Sequence, residues 1–227
     1  PLPAELDGVV EARTGSTHGK GCHYLPWGCH ASLRNVVTET WEFHHRYLQS
    51  SDDYGQWRGT EPRHPMLGAI RGQALLDGKA LLAAVYWGPR EGCALFRSTD
   101  NGRSWSFQAR IALDPGARVN YQEPALCPTP DGGVVAYMRT AGAHGRLATS
   151  YSSDGRRWRP PRLHRLIGHP FHPLLLADGR VLLSYGYRKR PWGIRVRLLP
   201  CATADPDDTA EITVRDDGQC PDLGYPW

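Results

Sequence analysis

Lysine and methionine are nearly missing from this chain. Lysine occurs only at Lys20, Lys79 and Lys189, so arginine supplies 24 of the 27 basic residues, and methionine occurs twice. The arginine bias has two open readings, genomic composition or anion recognition, because a guanidinium grips a carboxylate through two parallel hydrogen bonds. No CxxC pair exists among Cys22, Cys29, Cys93, Cys127, Cys201 and Cys220, and in 227 residues six scattered cysteines need not be a disulfide framework. Cys22 and Cys29, with His18, His23 and His30, have the wrong spacing for a compact zinc site. The longest apolar runs, such as Ala80–Tyr86, are far too short for a membrane span. Gly-rich phosphate loops, HExxH and GxSxG are absent. A net charge of +4 is too small for a dedicated nucleic-acid binder, despite the arginine-rich run from Arg156 to Arg165. The chain opens at Pro1 without an initiator methionine or a signal peptide, as expected of a processed form or a fragment, and no compartment follows from it.

What the chain does have is 25 Gly, 19 Pro, 8 Trp and 10 Tyr, the composition of a turn-rich β protein. A motif recurs. Ser98-Thr-Asp100-Asn-Gly102-Arg-Ser-Trp105 reads S-x-D-x-G-x-x-W; Ser152–Trp158 repeats it one residue shorter, and Ser51–Trp57 is a degraded copy. Interleaved with these motifs and following the last, Asp77-Gly78, Asp131-Gly132 and Asp178-Gly179 each divide two apolar runs. Asp-Gly between such runs predicts a hairpin, because the tight turn needs φ > 0. The order is strand, Asp-Gly turn, strand, strand, Asp-motif turn, strand, recurring about every fifty residues, the unit of a β-propeller blade. The motif Asp, Gly and Trp have a structural role: bonding backbone N–H groups, allowing positive φ, and packing between sheets.

The motifs at 98–105 and 152–158 resemble Asp boxes, shared by sialidases and other Asp-box propellers. The expected fold is therefore an all-β, sialidase-like propeller of four-stranded antiparallel blades. A single domain over 1–227 would hold blades at roughly 20–62, 66–112, 119–163 and 170–216, with a fifth starting at 222. Sialidase propellers usually have six, so the ring is expected to be cut short or unusually small.

In a meander blade the Asp-Gly turns and Asp boxes share one face. The opposite mouth receives what precedes each first strand and follows each second strand. Those positions are Arg71, Glu123, His169, His172 and Tyr225, then Tyr86-Trp87, Arg139 and Tyr187-Arg188-Lys189-Arg190. Tyr121-Gln-Glu123-Pro, followed by Tyr137-Met-Arg139, resembles the sialidase segment with a catalytic Glu and a substrate-binding Arg. His172–Arg195 resembles the next blade with another binding Arg, and Asp222–Pro226 the segment of the nucleophilic tyrosine. The resemblance implies Tyr225 as nucleophile and Glu123 as its base, with Arg139 and Arg188 or Arg190 as a carboxylate clamp. Arg71 and His172 would be further substrate contacts, with no metal or cofactor.

Such a site suits a terminal sialic acid or related acidic sugar. A neutral tyrosine avoids the repulsion that a carboxylate nucleophile would meet beside the substrate's own carboxylate. The sequence departs from the family near its start. Lys20–Leu25 lacks the family's Arg-Ile-Pro-like segment, leaving Arg34 or Arg71 as substitutes. No Asp lies between Asp7 and Asp52 to serve as acid/base, leaving Glu39 or Glu42. Two other functions stand beside the retaining exo-sialidase-like one: a non-catalytic Asp-box propeller binding glycan or protein, and an Asp-box glycosidase of other specificity. The expected partner is a sialylated or acidic glycan.

Overall fold

A computed structural model describes residues 30–35, 40–46, 72–86, 92–101, 105–221 and 226. Arg71, Trp87, Tyr225 and the motif at 51–57 lie outside the described residues. The described structure is all-β. Strands β1 (His30–Asn35) and β2 (Thr40–Arg46) pair as an antiparallel hairpin.

Three four-stranded sheets follow: β3 (Leu75–Asp77), β4 (Ala80–Tyr86), β5 (Cys93–Ser98) and β6 (Ser106–Ala112); β7 (Asn120–Pro128), β8 (Val134–Ala141), β9 (Arg146–Ser152) and β10 (Arg162–Ile167); and β11 (Phe171–Leu175), β12 (Val181–Tyr187), β13 (Gly193–Leu199) and β14 (Glu211–Arg215). In each sheet the strands pair in chain order, so each is an antiparallel meander. Among the described residues no helix is long and apolar enough to cross a membrane.

Turn chemistry sets this order. Gly78, Gly132 and Gly179 take φ of +59°, +80° and +86°, the left-handed region where a side chain would be strained. In two of these turns the Asp beside the glycine secures the turn, while Asp77 pairs with Arg97 of β5. Asp178 accepts from the Arg180 N–H at 3.1 Å, and Asp131 accepts from Thr129 and, at 2.8 Å, from the Tyr151 hydroxyl. In the second Asp box, Asp154 accepts the N–H groups of Arg156 and Arg157 at 2.8 and 2.9 Å. Trp105, from the first box, is buried beside Ala83, Val85, Ala94 and Phe96. The Asp-box motifs are structural.

The middle sheet is covered on both faces. Side chains alternate along β8, so Ala136 and Met138 face Leu82, Tyr86 and Leu95 of the preceding sheet. Val135 and Tyr137 face Phe171, Leu183 and Tyr185 of the following one. Full burial of a leucine such as Leu95 or Leu183 stabilises the fold by about 1.5–3 kcal/mol, which makes the contact between sheets the principal adhesive.

Strand β10 carries the end of the arginine-rich run and is the outer strand of its sheet. Part of its edge is covered. A short 3-10 turn at Pro206–Asp208 lies against it, and Asp207 accepts the N–H groups of Arg165 and Leu166 at 2.7 and 2.9 Å. Asp205 binds Arg162 and, at 3.1 Å, Nδ1 of the buried His164. The arginines of β10 thus hold a segment of the next sheet, and an otherwise open ladder gains acceptors.

Candidate active site at the mouth of the sheets

Strand β7 packs between β4 of the preceding sheet and β11 of the following one, so its first residues open onto the ground between sheets. Its pairing with β8 is regular through Asn120↔Ala141, Tyr121↔Thr140 and Gln122↔Arg139, then shifts register before Ala125↔Tyr137. Glu123 sits in that irregularity with φ +51°. A non-glycine residue in the left-handed region is uncommon, and a bulge of this kind re-aims the side chain it carries. Here it turns Glu123 inward, 3% exposed, to accept from Arg139 Nη1 at 3.0 Å. The Arg139 side chain is 21% exposed, and its buried Nε–H has no hydrogen-bond partner. The pair therefore holds a partly exposed guanidinium fixed on one edge by Glu123, with its buried Nε–H left without an acceptor.

Neighbouring chain segments reach the same end of the sheets. Gly72 abuts the inner strand so closely that a Cβ would lie 2.9 Å from Ala125 Cα and 3.0 Å from the Pro124 carbonyl oxygen. This brings the residue after Arg71 beside the residues after Glu123. At the other flank the Ser184 hydroxyl lies 3.3 Å from the carbonyls of both His172 and Pro226, its one proton shared between them. His172 is half-buried, and desolvation lowers its imidazole pKa. The residue after Tyr225 is thus tied to the strand pair carrying His172.

The structure brings Glu123 and Arg139 together. Arg188 is partly exposed just beyond β12, while Arg190 is exposed and stacks its guanidinium over Trp192 at 4.5 Å from the ring centroid. Arg195, near these arginines in sequence, is buried and donates to the Arg215 carbonyl at 2.6 Å and the Pro191 carbonyl at 3.3 Å, so it fastens β13 to β14. Two mouth-side loops escaped the sequence reading, 114–118 and 142–145. Asp-Pro-Gly at 114–116 was the available signal for the first, a composition typical of turns.

One group of potential metal ligands occurs among the described residues, His164, Asp205 and Asp207, with ligand atoms within 4.8 Å of one another. Its carboxylates are occupied by Arg162, His164 and backbone N–H groups. Burial lowers the His164 pKa against the raising effect of Asp205. The arrangement is a latch between sheets. Among the described cysteines none is in a disulfide.

Comparison with known proteins places this geometry among propeller-type folds. A Penicillium chrysogenum alpha-L-arabinanase matches with TM-score 0.56 and 15% identity, covering 77% of this chain and 55% of its own. A Clostridium thermocellum exo-beta-1,3-galactanase matches with TM-score 0.51 and 14% identity, covering 68% and 39%. At these identities the likeness is one of fold, and that fold is the β-propeller of glycoside hydrolases. The family follows from the sequence match: residues 32–226 fit the BNR repeat-like domain, and the chain belongs to that family. A Dyadobacter fermentans protein of unknown function is 38% identical with TM-score 0.66, covering 71% of this chain and 46% of its own. The chain therefore spans about half or less of the length of these solved relatives. Among curated proteins, none matches.

Proposed function

We propose that the chain carries part or all of the active site of a glycoside hydrolase that removes a terminal acidic sugar, sialic acid or a related one, with retention. The observation that carries this reading is the buried Glu123–Arg139 pair, aimed by a left-handed bulge at the mouth end of the sheets, with one donor of Arg139 unused. A sugar carboxylate takes the exposed edge of the Arg139 guanidinium and Arg188, which orient the ring through charge-assisted hydrogen bonds. Tyr225 Oη attacks the anomeric carbon while its proton passes to the Glu123 carboxylate. The glycosidic C–O bond breaks, and the departing oxygen takes a proton from a second acid, for which Glu39 and Glu42 are the candidates. Water then attacks the glycosyl-tyrosine, giving its proton to the residue that acted as acid, and the released tyrosinate takes its proton back from Glu123. Arg71, His172 and Arg190 are the remaining proposed substrate contacts.

Hydrolysis of 4-methylumbelliferyl sialoside is the test. Turnover by the wild-type chain, lost in Tyr225→Phe with folding intact, supports the reading. The similarity in fold to an arabinanase and a galactanase favours a second one, a glycosidase for neutral sugars. Release of p-nitrophenol from the arabinofuranoside or galactoside, with none from the sialoside, selects it. Binding of sialosides without turnover of any substrate selects a glycan-binding propeller.

A further inference from the structure

The strand end that carries Arg139 continues into a rim of fixed backbone. Between β6 and β7 the chain turns at Asp114, whose carboxylate accepts the N–H groups of Gly116, Arg118 and Val119, each at 3.0 Å. The Ala117 N–H closes the turn on the Asp114 carbonyl at 2.9 Å. The loop between β8 and β9 meets it: Gly142 has φ +83°, and a Cβ there would stand 2.1 Å from the Arg118 carbonyl oxygen. That second loop is held on its far side too. Gly168 donates to the Gly145 carbonyl at 3.1 Å, and a Cβ on Gly145 would meet His169 Nε2 at 2.2 Å.

Braced backbone here displays exposed charge. The Arg118 side chain is 86% exposed, and its ionic contact is a loose one of 3.7 Å to Asp114. His144, two residues beyond the Gly142 contact, is held at φ +58° with its side chain exposed. The carboxylates described in these segments are already engaged, Asp114 with its own turn and Glu123 with Arg139. Arg118 lies in the bend before β7 and precedes Gln122, the partner of Arg139, by four residues, a span of at most about 13 Å. A separation of that order leaves room for a second sugar beside the one held at Arg139.

We propose that Arg118 and His144 form an anion-binding rim that takes the acidic group of a second sugar, so that the site prefers oligomeric acidic glycans over single acidic sugars. The proposal rests on the acidic-sugar reading of the mouth. Arg118 is the principal contact and His144 contributes an imidazole donor, while Gly142 is a positioning residue.

Calorimetric titration of Tyr225→Phe protein, in which turnover is blocked, tests this with three probes: N-acetylneuraminic acid, its linear trimer, and neutral arabinotriose. The trimer is expected to bind about tenfold tighter than the monomer. Arg118→Ala should cut that advantage about fivefold and leave monomer affinity within twofold, since an exposed ion pair is modest and salt-sensitive. Raising salt should produce a similar loss. Gly142→Ala, with folding checked by its melting curve, should act in the same direction by displacing the Arg118 backbone. An unchanged trimer-to-monomer ratio in both Arg118→Ala and His144→Ala overturns the rim while monomer binding keeps the mouth reading alive. Failure of both acidic probes to bind wild-type and Tyr225→Phe protein overturns the two together. Equal sensitivity of arabinotriose to Arg118→Ala overturns the anionic selectivity.

Discussion

Replacing Arg139 by methionine keeps most of the side-chain volume and removes the charge opposite Glu123. The two groups lie 3.0 Å apart, with Glu123 almost wholly buried and Arg139 mostly so. At an effective dielectric of about 20, such a pair attracts by roughly 5 kcal/mol, much of it offset by desolvation of both ions. Removal of one partner leaves a buried carboxylate without compensation, which costs about 3–5 kcal/mol in comparable pairs. The residual exposure of Arg139 lets water reach the site, so about 2–4 kcal/mol is expected here. For a chain of this size that is a fall in Tm on the order of 5–15 °C. Glu123→Gln keeps the shape and one acceptor and should cost less. The double variant should recover part of the sum, giving a coupling of about 1–3 kcal/mol in a cycle measured by denaturant unfolding. Additive effects, or a Tm unchanged in Arg139→Met, would refute the claim that the bulge exists to hold this pair.

Three further outcomes follow from the packing. The His164 pKa is lowered from 6.5 by burial, so the unfolded chain takes up its proton first. The stability contributed by neutral His164 is present above pH 6.5 and is lost as pH falls toward the lower folded value. Between pH 7 and 5 the Tm of wild-type protein should drop more steeply than that of His164→Gln; parallel curves would contradict the latch. Gly193→Ala would place a Cβ 1.8 Å from the Arg215 carbonyl oxygen and should destabilise by about 1–3 kcal/mol through backbone displacement; an unshifted melting curve would show that β14 moves freely. Burial raises the thiol pKa of Cys93 strongly and pushes Cys127 up to about 11, whereas a hydrogen bond from Thr203 lowers that of Cys201. Peptide mapping after treatment of native protein with a thiol reagent should find Cys201 and the exposed Cys220 labelled, with Cys93 and Cys127 labelled only after unfolding.

The meander order of the three sheets was determined by the sequence itself, because the signals that create it are local. An Asp-Gly pair can adopt a tight turn in only a few ways, and an Asp two residues before an N–H closes its own loop, as Asp154 and Asp178 do. Apolar alternation then decides which side chains of β8 face which neighbour. The same topology selected Glu123 and Arg139 as mouth residues. Their meeting was settled only in three dimensions, since it depends on a register shift and a left-handed residue that no composition rule announces. The latch of Asp205 and Asp207 on β10 spans about forty residues. The rim at Arg118 arises from a glycine fitting against a carbonyl twenty-four residues away. Turns and strand periodicity are short-range properties, legible from neighbours along the chain. The aim of a side chain and the partner it finds depend on how whole sheets pack together, and that is decided by tertiary structure.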